Sequence, residues 1–410
     1  MRNIKSTLRI ARNSVLLLSA IAGAAYITSC SNESGLNSGQ VNEPSLSTGT
    51  YSVYGSNPNR VHNYGKGNTR AAGAETLAAT FEMPSVEDAL AAASAALSIK
   101  DVPDDQSWQL NNPGQPFRGA SVLIDKNFGR FGCDDASKYY IQKGSTLDFS
   151  TGFSAFAAGT EVYVLPGATF KVGGTLPTGF TVYNYGNLVI PAGLTVSGNI
   201  YSAVDVDADG EVGIDGKFYS RGALMSDKVR LNGETVACAF IAEDELTINE
   251  KGQVQTTYLE APKVVMNTGK VVLEDNGLVW AKEELNPTNA NSRLTTCGSK
   301  ALVYAENVKT SDSTTGSHIP EIFCDVNVWV VYKAFNLAND VIESIKDQTV
   351  SHIYHVSQVA EGKDAYGNEI VVSANGTCHK SFGFTGDPEK PFDEIDDPED
   401  PVDPDPEPDV

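Results

Sequence analysis

Basic residues are scarce in this sequence. Its 410 residues include 30 Lys and Arg against 52 Asp and Glu, which gives a formal net charge of −22. A chain with this acidic excess and no basic patch lacks the electrostatic means to hold a phosphate backbone or an anionic lipid surface. Nucleic acid is therefore excluded as a partner class.

Long apolar runs and catalytic signatures are missing as well. The main apolar run, Val15–Ile27, has about 13 residues, which is too short to span a bilayer as a helix. The sequence has no Gly-x-Ser-x-Gly elbow, no phosphate-binding loop and no Cys-x-x-Cys pair. Without such a residue set, the sequence predicts a protein that is not an enzyme.

A short phrase recurs between residues 160 and 308. It consists of an apolar residue, a mostly aromatic residue and a small residue. The eight copies are Val162-Tyr163-Val164, Val182-Tyr183-Asn184, Ile200-Tyr201-Ser202, Phe218-Tyr219-Ser220, Phe240-Ile241-Ala242, Leu259-Glu260-Ala261, Val279-Trp280-Ala281 and Val303-Tyr304-Ala305. Their third residues are 20, 18, 18, 22, 19, 20 and 24 positions apart.

A period near 20 residues is too short for helical repeats or propeller blades, and the Leu/Asn frame of leucine-rich repeats is absent. Apolar residues alternate within the repeats, for example at Leu188/Ile190 and Leu246/Ile248, which indicates strands with one inward side. Glycines such as Gly193 and Gly210 punctuate the corners. The pattern predicts a mainly β fold: a single-stranded β-helix, or solenoid, of about eight rungs near 20 residues each, with capping segments.

The aromatic position of the phrase has two interpretations. The rings alternate with inward neighbours, so they form an outward ladder that stabilises the solenoid by stacking, at about 0.2–1 kcal/mol per pair. The alternative is a sugar-stacking strip, in which Tyr201, Tyr219 and Trp280 bind a ligand. The small third position is expected at a crowded inward bend.

The first 30 residues predict a lipoprotein leader. Arg2, Lys5, Arg9 and Arg12 precede the apolar run, and the leader ends Ile27-Thr28-Ser29-Cys30, which resembles the lipobox of bacterial lipoproteins. That resemblance implies cleavage before Cys30 and lipidation of its thiol and new amino group. Ser31 follows Cys30, and the absence of Asp there favours the outer membrane.

The rest of the chain divides by composition. Residues 31–83, rich in Ser, Asn and Gly, predict a disordered tether. Residues 84–156 hold a helix over 84–98, with Ser85 and Asp88 as its capping box and Val86, Leu90, Ala93 and Leu97 as its apolar face, followed by an N-terminal cap. Residues 157–335 form the solenoid and 336–386 a C-terminal cap with a short helix, Asn339–Lys346. Residues 387–410, with seven prolines and twelve acids, form an extended linker or tail.

Five cysteines follow Cys30, and their number is odd. Cys238 and Cys297 lie two to three rungs apart, roughly 10–14 Å, which is beyond the reach of a mutual disulfide. Cys324 and Cys378 are the favoured pair.

One acidic run is a candidate metal site. Asp205, Asp207, Asp209 and Gly210 match the first half of a calcium-binding loop, although Gly216 stands where that loop has its bidentate Glu. The alternative is an outer strand in which Val206 and Ala208 point inward and the aspartates outward.

A third interpretation makes these carboxylates catalytic. Together with Asp215, and with Lys217 or Arg221, they would then act as in β-helix polysaccharide lyases and hydrolases.

The arrangement resembles a group of surface lipoproteins from Gram-negative gut bacteria, including relatives of the LruC type, in which an Asp/Pro-rich linker joins a further β-domain. The resemblance implies a lipid anchor at Cys30 and no established activity. Asp312-Ser313-Thr314 resembles an O-glycosylation acceptor of some Gram-negative surface proteins, with Ser313 as the acceptor.

We therefore expect a lipid-anchored scaffold or adhesin-like rod on the outer membrane that meets a surface protein or glycan. The alternative is a carbohydrate-binding or polysaccharide-degrading β-helix protein. A structural subunit that polymerises end to end is a third possibility, which capped ends disfavour.

Overall fold

The computed structural model describes residues 49–52, 80–103, 114–129, 136–150, 157–173, 176, 178–298, 300–359, 381–384 and 392–395. Three α-helices lie within these ranges, α1 (Val86–Ser94), α2 (Ile319–Ile322) and α3 (Asn339–Gln348), and a 3-10 turn covers Val356–Gln358.

The strands are short up to residue 220, long between residues 223 and 287, and shorter again after that. The first are β1 (Gly49–Ser52), β2 (Thr80–Met83), β3 (Leu97–Ser98), β4 (Ser121–Ile124), β5 (Phe128–Gly129), β6 (Lys138–Ile141), β7 (Thr146–Asp148), β8 (Glu161–Val164), β9 (Thr169–Lys171), β10 (Thr181–Asn184), β11 (Asn187–Ile190), β12 (Leu194–Val196) and β13 (Asn199–Ser202). They are followed by β14 (Val206–Ala208), β15 (Glu211–Ile214), β16 (Phe218–Ser220), β17 (Ala223–Leu231), β18 (Glu234–Ile248), β19 (Gln253–Met266), β20 (Lys270–Pro287), β21 (Arg293–Thr296), β22 (Ala301–Val308), β23 (Val328–Phe335), β24 (His352–His355), β25 (Ser381–Phe384) and β26 (Phe392–Ile395).

Strands β3 to β24 form one 22-stranded parallel sheet that coils into a β-solenoid of about 11 turns. The predicted fold class is confirmed, whereas the predicted count of eight rungs is too low. The coil begins at Leu97 and not at residue 157, because β4 to β7 already stack as regular coils in the segment predicted to be a cap.

The coil has three faces. Face A contains β3, β4, β6, β8, β10, β13, β16, the starts of β18, β19 and β20, and β21. Face B contains β5, β7, β9, β11, β14, the start of β17, the middles of β18, β19 and β20, and β22 to β24. Face C contains β12, β15 and the ends of β17 to β20.

The alignment of the eight phrases is wrong after the fourth copy. Phe218 and Tyr219 stack on Thr235 and Val236 of face A, not on Phe240. The last four copies lie on face B, where Phe240 stacks on Leu224. The step of 22 residues from Ser220 to Ala242 therefore combines a move to the next coil with a move to the next face.

One continuous apolar core fills the coil. Inward residues such as Val162, Val182, Ile200 and Phe218 are fully buried and stack on one another from coil to coil. This stacking explains the alternation in the sequence, since each coil buries its inward side chains on the next.

Apolar side chains also cover both ends of the core. Ile99, Val102 and Phe117 join it at the N-terminal end, and α2 and α3 join it at the C-terminal end. The helix predicted over 339–346 is confirmed, and residues 319–322, inside the range predicted as solenoid, form a further helix.

A hydrogen-bonded side-chain ladder runs along the corner between faces C and A. Asn232 donates to Asp215, Asn249 to Asn232, Asn267 to Asn249 at 3.2 Å, and Thr288 to Asn267 at 2.7 Å. Each side chain donates a hydrogen bond to the side chain one coil earlier, so this row of bonds fixes the register of five successive coils.

The two ends of the described chain contain small antiparallel pairs. β1 pairs with β2 inside the predicted tether, and β25 with β26, which reaches into the predicted tail. The sequence predicted a disordered tether and an extended tail, so the strand pairs in these two segments are a departure from the prediction.

Candidate functional site

Five tyrosines stack along the outer side of face A, and we call them the tyrosine ladder. Successive ring centroids are 4.6 Å apart from Tyr140 to Tyr163, 4.9 Å to Tyr183, 5.4 Å to Tyr201 and 5.6 Å to Tyr219. The parallel register places one ring above the next. The predicted structural ladder is thus present for these residues, and it also contains Tyr140.

The ladder is largely covered. Tyr140, Tyr163 and Tyr219 are 4%, 6% and 1% exposed, whereas Tyr183 and Tyr201 are half-buried. Because the rings stack on one another, the inner rings use both faces within the ladder and turn their edges and hydroxyls outward. This geometry does not favour the predicted stacking of a sugar on Tyr201 or Tyr219.

Glutamates hold two of the ladder hydroxyls. Tyr163 donates to Glu161 at 2.6 Å, and Lys138 pairs with the same carboxylate at 3.0 Å. Tyr219 donates to Glu234 at 2.7 Å, and Lys217 lies 3.5 Å from Glu234. The same arrangement recurs on face B, where Tyr304 donates to Glu306 and Lys333 pairs with that carboxylate.

The tyrosines are held as neutral donors. Burial raises the pKa of Tyr163, and the hydrogen bond and charge of Glu161 add to this effect. Burial likewise raises the pKa of Tyr183 to about 12 and, with Glu306, the pKa of Tyr304. A phenol that serves as a general base needs a lowered pKa, so the raised pKa values of these tyrosines favour a structural role for the ladder.

Trp280 lies on face B, in a different column from Tyr201 and Tyr219. Its half-buried ring lies outward, with the Lys282 Nζ 4.6 Å from the ring centroid and Glu260 paired to that lysine. Met225, Ile241 and Trp329 are the other partly buried members of this outer apolar cluster. The three predicted ligand residues therefore do not form one strip.

The three aspartates of the predicted calcium loop do not converge. Val206 and Ala208 are fully buried, so the strand β14 turns Asp207 outward, as the alternative interpretation required. Asp205 precedes the strand, and its Oδ1 accepts from the Ala223 N–H at 2.8 Å. Among the described residues, no three His, Cys, Asp or Glu side chains are placed to hold a metal ion.

The carboxylates proposed for catalysis are spread around the circumference of one coil. Asp205 lies between faces A and B, Asp207 on face B, and Asp215 in the ladder between faces C and A. Lys217 pairs with Glu234 on face A. Residues about ten positions apart in a three-sided coil lie on different sides, so the sequence spacing does not bring these groups together.

Ser313 is exposed in the loop between β22 and α2. The Asp312 carboxylate accepts from the Thr315 hydroxyl and from the backbone N–H groups of Thr315 and Thr314, which lowers its pKa and fixes the turn. Exposure fits the predicted modification of Ser313, which stays a prediction.

The cysteines differ from the predicted pairing. Cys238 and Cys297 are both disulfide-bonded, whereas Cys324, the other described cysteine, lies outside any disulfide, so the predicted Cys324–Cys378 bridge is wrong. Cys30, Cys133 and Cys378 lie outside the described residues.

Sequence reasoning missed three participants of the ladder: Tyr140, Glu161 and Glu234. A signal for the first was available, because Tyr139-Tyr140-Ile141 fits the apolar-aromatic-small frame except for its bulky last residue. No signal marked the glutamates, since Glu161 lies two residues before its tyrosine and Glu234 lies one coil later.

The fold and these surfaces define a parallel, three-sided β-solenoid protein with a covered tyrosine ladder on one side. No family model matches the chain, and neither a curated protein nor a solved structure matches it. Within the ranges that the structure describes, none of the helices has the length and apolarity needed to cross a bilayer.

Proposed function

We propose that this protein is a lipid-anchored scaffold or adhesin-like rod of the outer-membrane surface, without catalytic activity. The observation that carries the proposal is the solenoid itself, in whose described part the candidate carboxylates Asp205, Asp207 and Asp215 lie at different places around the coil. About 11 turns at about 4.8 Å give a rod of about 50 Å. Such a rod holds its lateral faces away from the membrane.

Two features support export and anchoring. The leader carries Ile27-Thr28-Ser29-Cys30 after a basic and an apolar segment, so the Cys30 thiol is the proposed site of lipidation. Disulfide-bonded Cys238 and Cys297 fit an oxidising compartment outside the cytoplasm.

The anchor is tested with the full chain expressed in a Gram-negative host fed a radiolabelled fatty acid. We expect label in the wild type and in Cys324→Ala, which removes a cysteine outside the leader, but none in Cys30→Ala. Protease treatment of intact cells then distinguishes a surface-exposed chain, which is cleaved, from a periplasmic one, which is protected. Label retained by Cys30→Ala would remove the lipid-anchor proposal.

A carbohydrate-binding function is the second candidate, and Trp280 favours it because its half-buried ring lies on the outside of face B. The mature chain from Ser31 onward is applied to a glycan array as wild type, as Trp280→Ala and as Trp329→Ala. The last variant is a matched control, since Trp329 lies on the same face two coils away. Binding lost only in Trp280→Ala supports this candidate, whereas a wild type that binds no glycan leaves a protein partner.

A further inference from the structure

An apolar cluster lies on the outer side of face B. Its side chains alternate along the strands with core residues such as Phe240 and Val279, so they point away from the core. An outward side chain on a bare sheet stays exposed, as Glu211 and Lys228 do on face C. On face B, by contrast, eight outward side chains are only 0–7% exposed: Ala223, Ala239, Tyr258, Leu278, Leu302, Tyr304, Val331 and Tyr354. Another part of the chain therefore covers face B.

Face A shows how an outward row is covered within the chain. Ala89 and Ala93 of α1 are 2% and 5% exposed, and they belong to the same apolar cluster as the ladder tyrosines. The apolar side predicted for residues 84–98 is wrong in two positions, because Leu90 and Leu97 are 46% and 43% exposed. A segment that directly precedes the first coil thus covers one outer side of the solenoid.

The pattern of burial traces the path of the cover on face B. The outward side chains stand in two columns, one with Trp280 and one with Leu278. Near the last coils, the buried members stand in the column of Trp280: Tyr304, Val331 and Tyr354. Near β17, they stand in the column of Leu278: Tyr258, Ala239 and Ala223. Except in β22, where both are buried, the neighbour in the other column is half-buried, so the cover crosses face B diagonally.

Two residues after the last strand begin this cover. Val356 and Val359 follow Tyr354, and they are the described members of the cluster that lie outside the strands. The 3-10 turn that contains Val356 packs on β23. Four coil spacings, about 19 Å, separate β23 from β18, so the two valines do not reach Ala239. The rest of the cover comes from another segment.

We infer that the outer side of face B is an internal docking surface for residues 360–380, the segment that follows Val359 and returns along the rod. The path from β23 to β17 takes five coil spacings, about 24 Å, which about eight extended residues can span. The segment has 21 residues, and its sequence supplies apolar side chains for the cluster: Tyr366, Ile370, Val371 and Val372. It also starts where the diagonal starts, since Val356 and Val359 lie there.

This inference does not rest on the proposed scaffold function, and it concerns a surface distant in sequence from the lipid anchor. It does change the surroundings of Trp280, whose half-buried ring stands beside the covered column of Leu278. A ligand that stacks on this ring would also meet residues 360–380.

Photo-cross-linking in the full mature chain identifies the segment that covers face B. Ile241 is replaced by benzoylphenylalanine, because this half-buried residue stands beside Ala239 on β18, beyond the reach of Val359. Illumination should join it to a peptide within residues 360–380 of the same chain, as read by mass spectrometry. Thr247, outward on face C of the same strand, is the matched control and should give no such product.

Three results of this experiment would overturn the inference. They are adducts from Ile241 that map to residues 31–79, adducts that join two chains, and the absence of any adduct from Ile241. The first would assign the cover to the segment before α1, and the second to another copy of the protein.

The second experiment removes the cover. Residues 360–377 are replaced by a Gly/Ser stretch of equal length, which keeps Cys378, and the chain is treated with hydroxyl radicals. Oxidation of Leu278 and Leu302 should rise by about fivefold, because their protecting contacts are lost. Val279, which points into the core of the same strand as Leu278, should keep its wild-type rate. Continued protection of Leu278 and Leu302 would overturn the inference.

A point substitution separates loss of the cover from unfolding. Ile370→Asp places a charge in the apolar part of the segment and should raise the oxidation of Leu278 and Leu302, whereas Ser373→Asp should leave it at the wild-type rate. If the Gly/Ser chain oxidises Val279 as well, it has unfolded, and the point variants decide. Equal oxidation in Ile370→Asp and Ser373→Asp would then count against residues 360–380 as the cover.

Discussion

Two corners of the coil carry the same sequence phrase and solve the same packing problem in different ways. At the corner between faces A and B, the phrase ends in Asn184, Ser202 and Ser220, which are at most 1% exposed. At the end of face B it ends in alanines, of which Ala261 and Ala281 are fully buried. Both corners need a small inward side chain, but only the first one is built from polar residues.

The polar corner uses its side chains to satisfy the backbone of the bend. Asn184 donates to Ser202 at 2.9 Å and accepts from the Gly186 N–H, while Ser220 accepts from the Gly222 N–H at 3.0 Å. At a sharp bend, backbone N–H and C=O groups no longer pair with the neighbouring strand, and they need side-chain partners when they are buried. The alanine corner lies within long strands, β18 to β20, where the backbone pairing continues past the bend with a shift in register. In the short strands of face A, polar side chains thus stand where the main-chain pairing ends.

The largest effect is expected from Asn184→Ala, which strips two hydrogen bonds from the polar corner. It leaves the buried Gly186 N–H without its acceptor and takes one donor from the Ser202 hydroxyl, which keeps its bonds to Val204. We therefore expect a loss of about 2–4 kcal/mol in the free energy of unfolding. Urea denaturation of the mature chain measures it. Asn187→Ala is the control, since Asn187 is exposed and donates one long bond of 3.4 Å to Thr169; its change should stay within about 0.5 kcal/mol. Equal losses in both variants would contradict the role assigned to this corner.

Replacing a polar corner residue by alanine, or a corner alanine by serine, should lower the free energy of unfolding by less. Ser220→Ala removes the acceptor for Gly222 and should cost about 1–2 kcal/mol. Ala281→Ser buries a hydroxyl where the backbone is already paired and should cost about 1 kcal/mol. The two sites lie in different coils and corners, so the double variant should show additive losses within about 0.5 kcal/mol. A stabilising Ala281→Ser would show that the second corner also lacks backbone partners.

These corners mark how far the sequence can predict the fold. Alternation, glycine spacing and a period near 20 predict a solenoid, because they reflect inward packing that every coil must satisfy. They do not assign a phrase to a face, since an apolar-aromatic-small triplet fits the end of face A and of face B equally well. Register was lost between Ser220 and Ala242 for this reason, and the early coils were missed because Ile124 and Ile141 are bulky at the third position.

The candidate site was less predictable than the fold. The stacking of Tyr163, Tyr183 and Tyr201 could be predicted from the repeat. That α1 covers these rings could not, because the helix is distant in sequence and packs in the same cluster through alanines. The helix and its Ser85 N-cap were predictable from local signals, although the helix is shorter than the predicted range of 84–98. The Asp88 N–H donates to the Ser85 Oγ, and the Ser85 hydroxyl, not its backbone N–H, donates to the Asp88 carboxylate. The face that the helix buries was not predictable, because Leu90 has the larger apolar side chain and yet lies outward.

The smallest effect on stability is expected at Glu274, which tests whether a polar corner can also hold a charge. It is a nearly buried carboxylate at the corner between faces A and B, where Gln255 and Thr257 donate to it at 3.2 and 3.0 Å. Burial raises its pKa above the ordinary value, and the two hydrogen bonds only partly oppose this. A raised pKa means that the folded chain binds the proton more tightly than the unfolded chain, so this group lowers stability as pH rises through the folded pKa. Glu274→Gln keeps the shape and removes the charge.

We therefore expect the thermal midpoint of Glu274→Gln to exceed that of the wild type at neutral pH and to converge with it in acid. Melting curves between about pH 4 and pH 8 measure this, starting near the ordinary glutamate pKa of about 4.3. Glu283→Gln is the matched control, because Glu283 is exposed on the same strand and should leave the pH dependence unchanged. If Glu274→Gln instead lowered the midpoint at neutral pH, the ionised carboxylate would be a stabilising acceptor, as Asn184 is at the same corner five coils earlier. Polar corners would then tolerate a full charge.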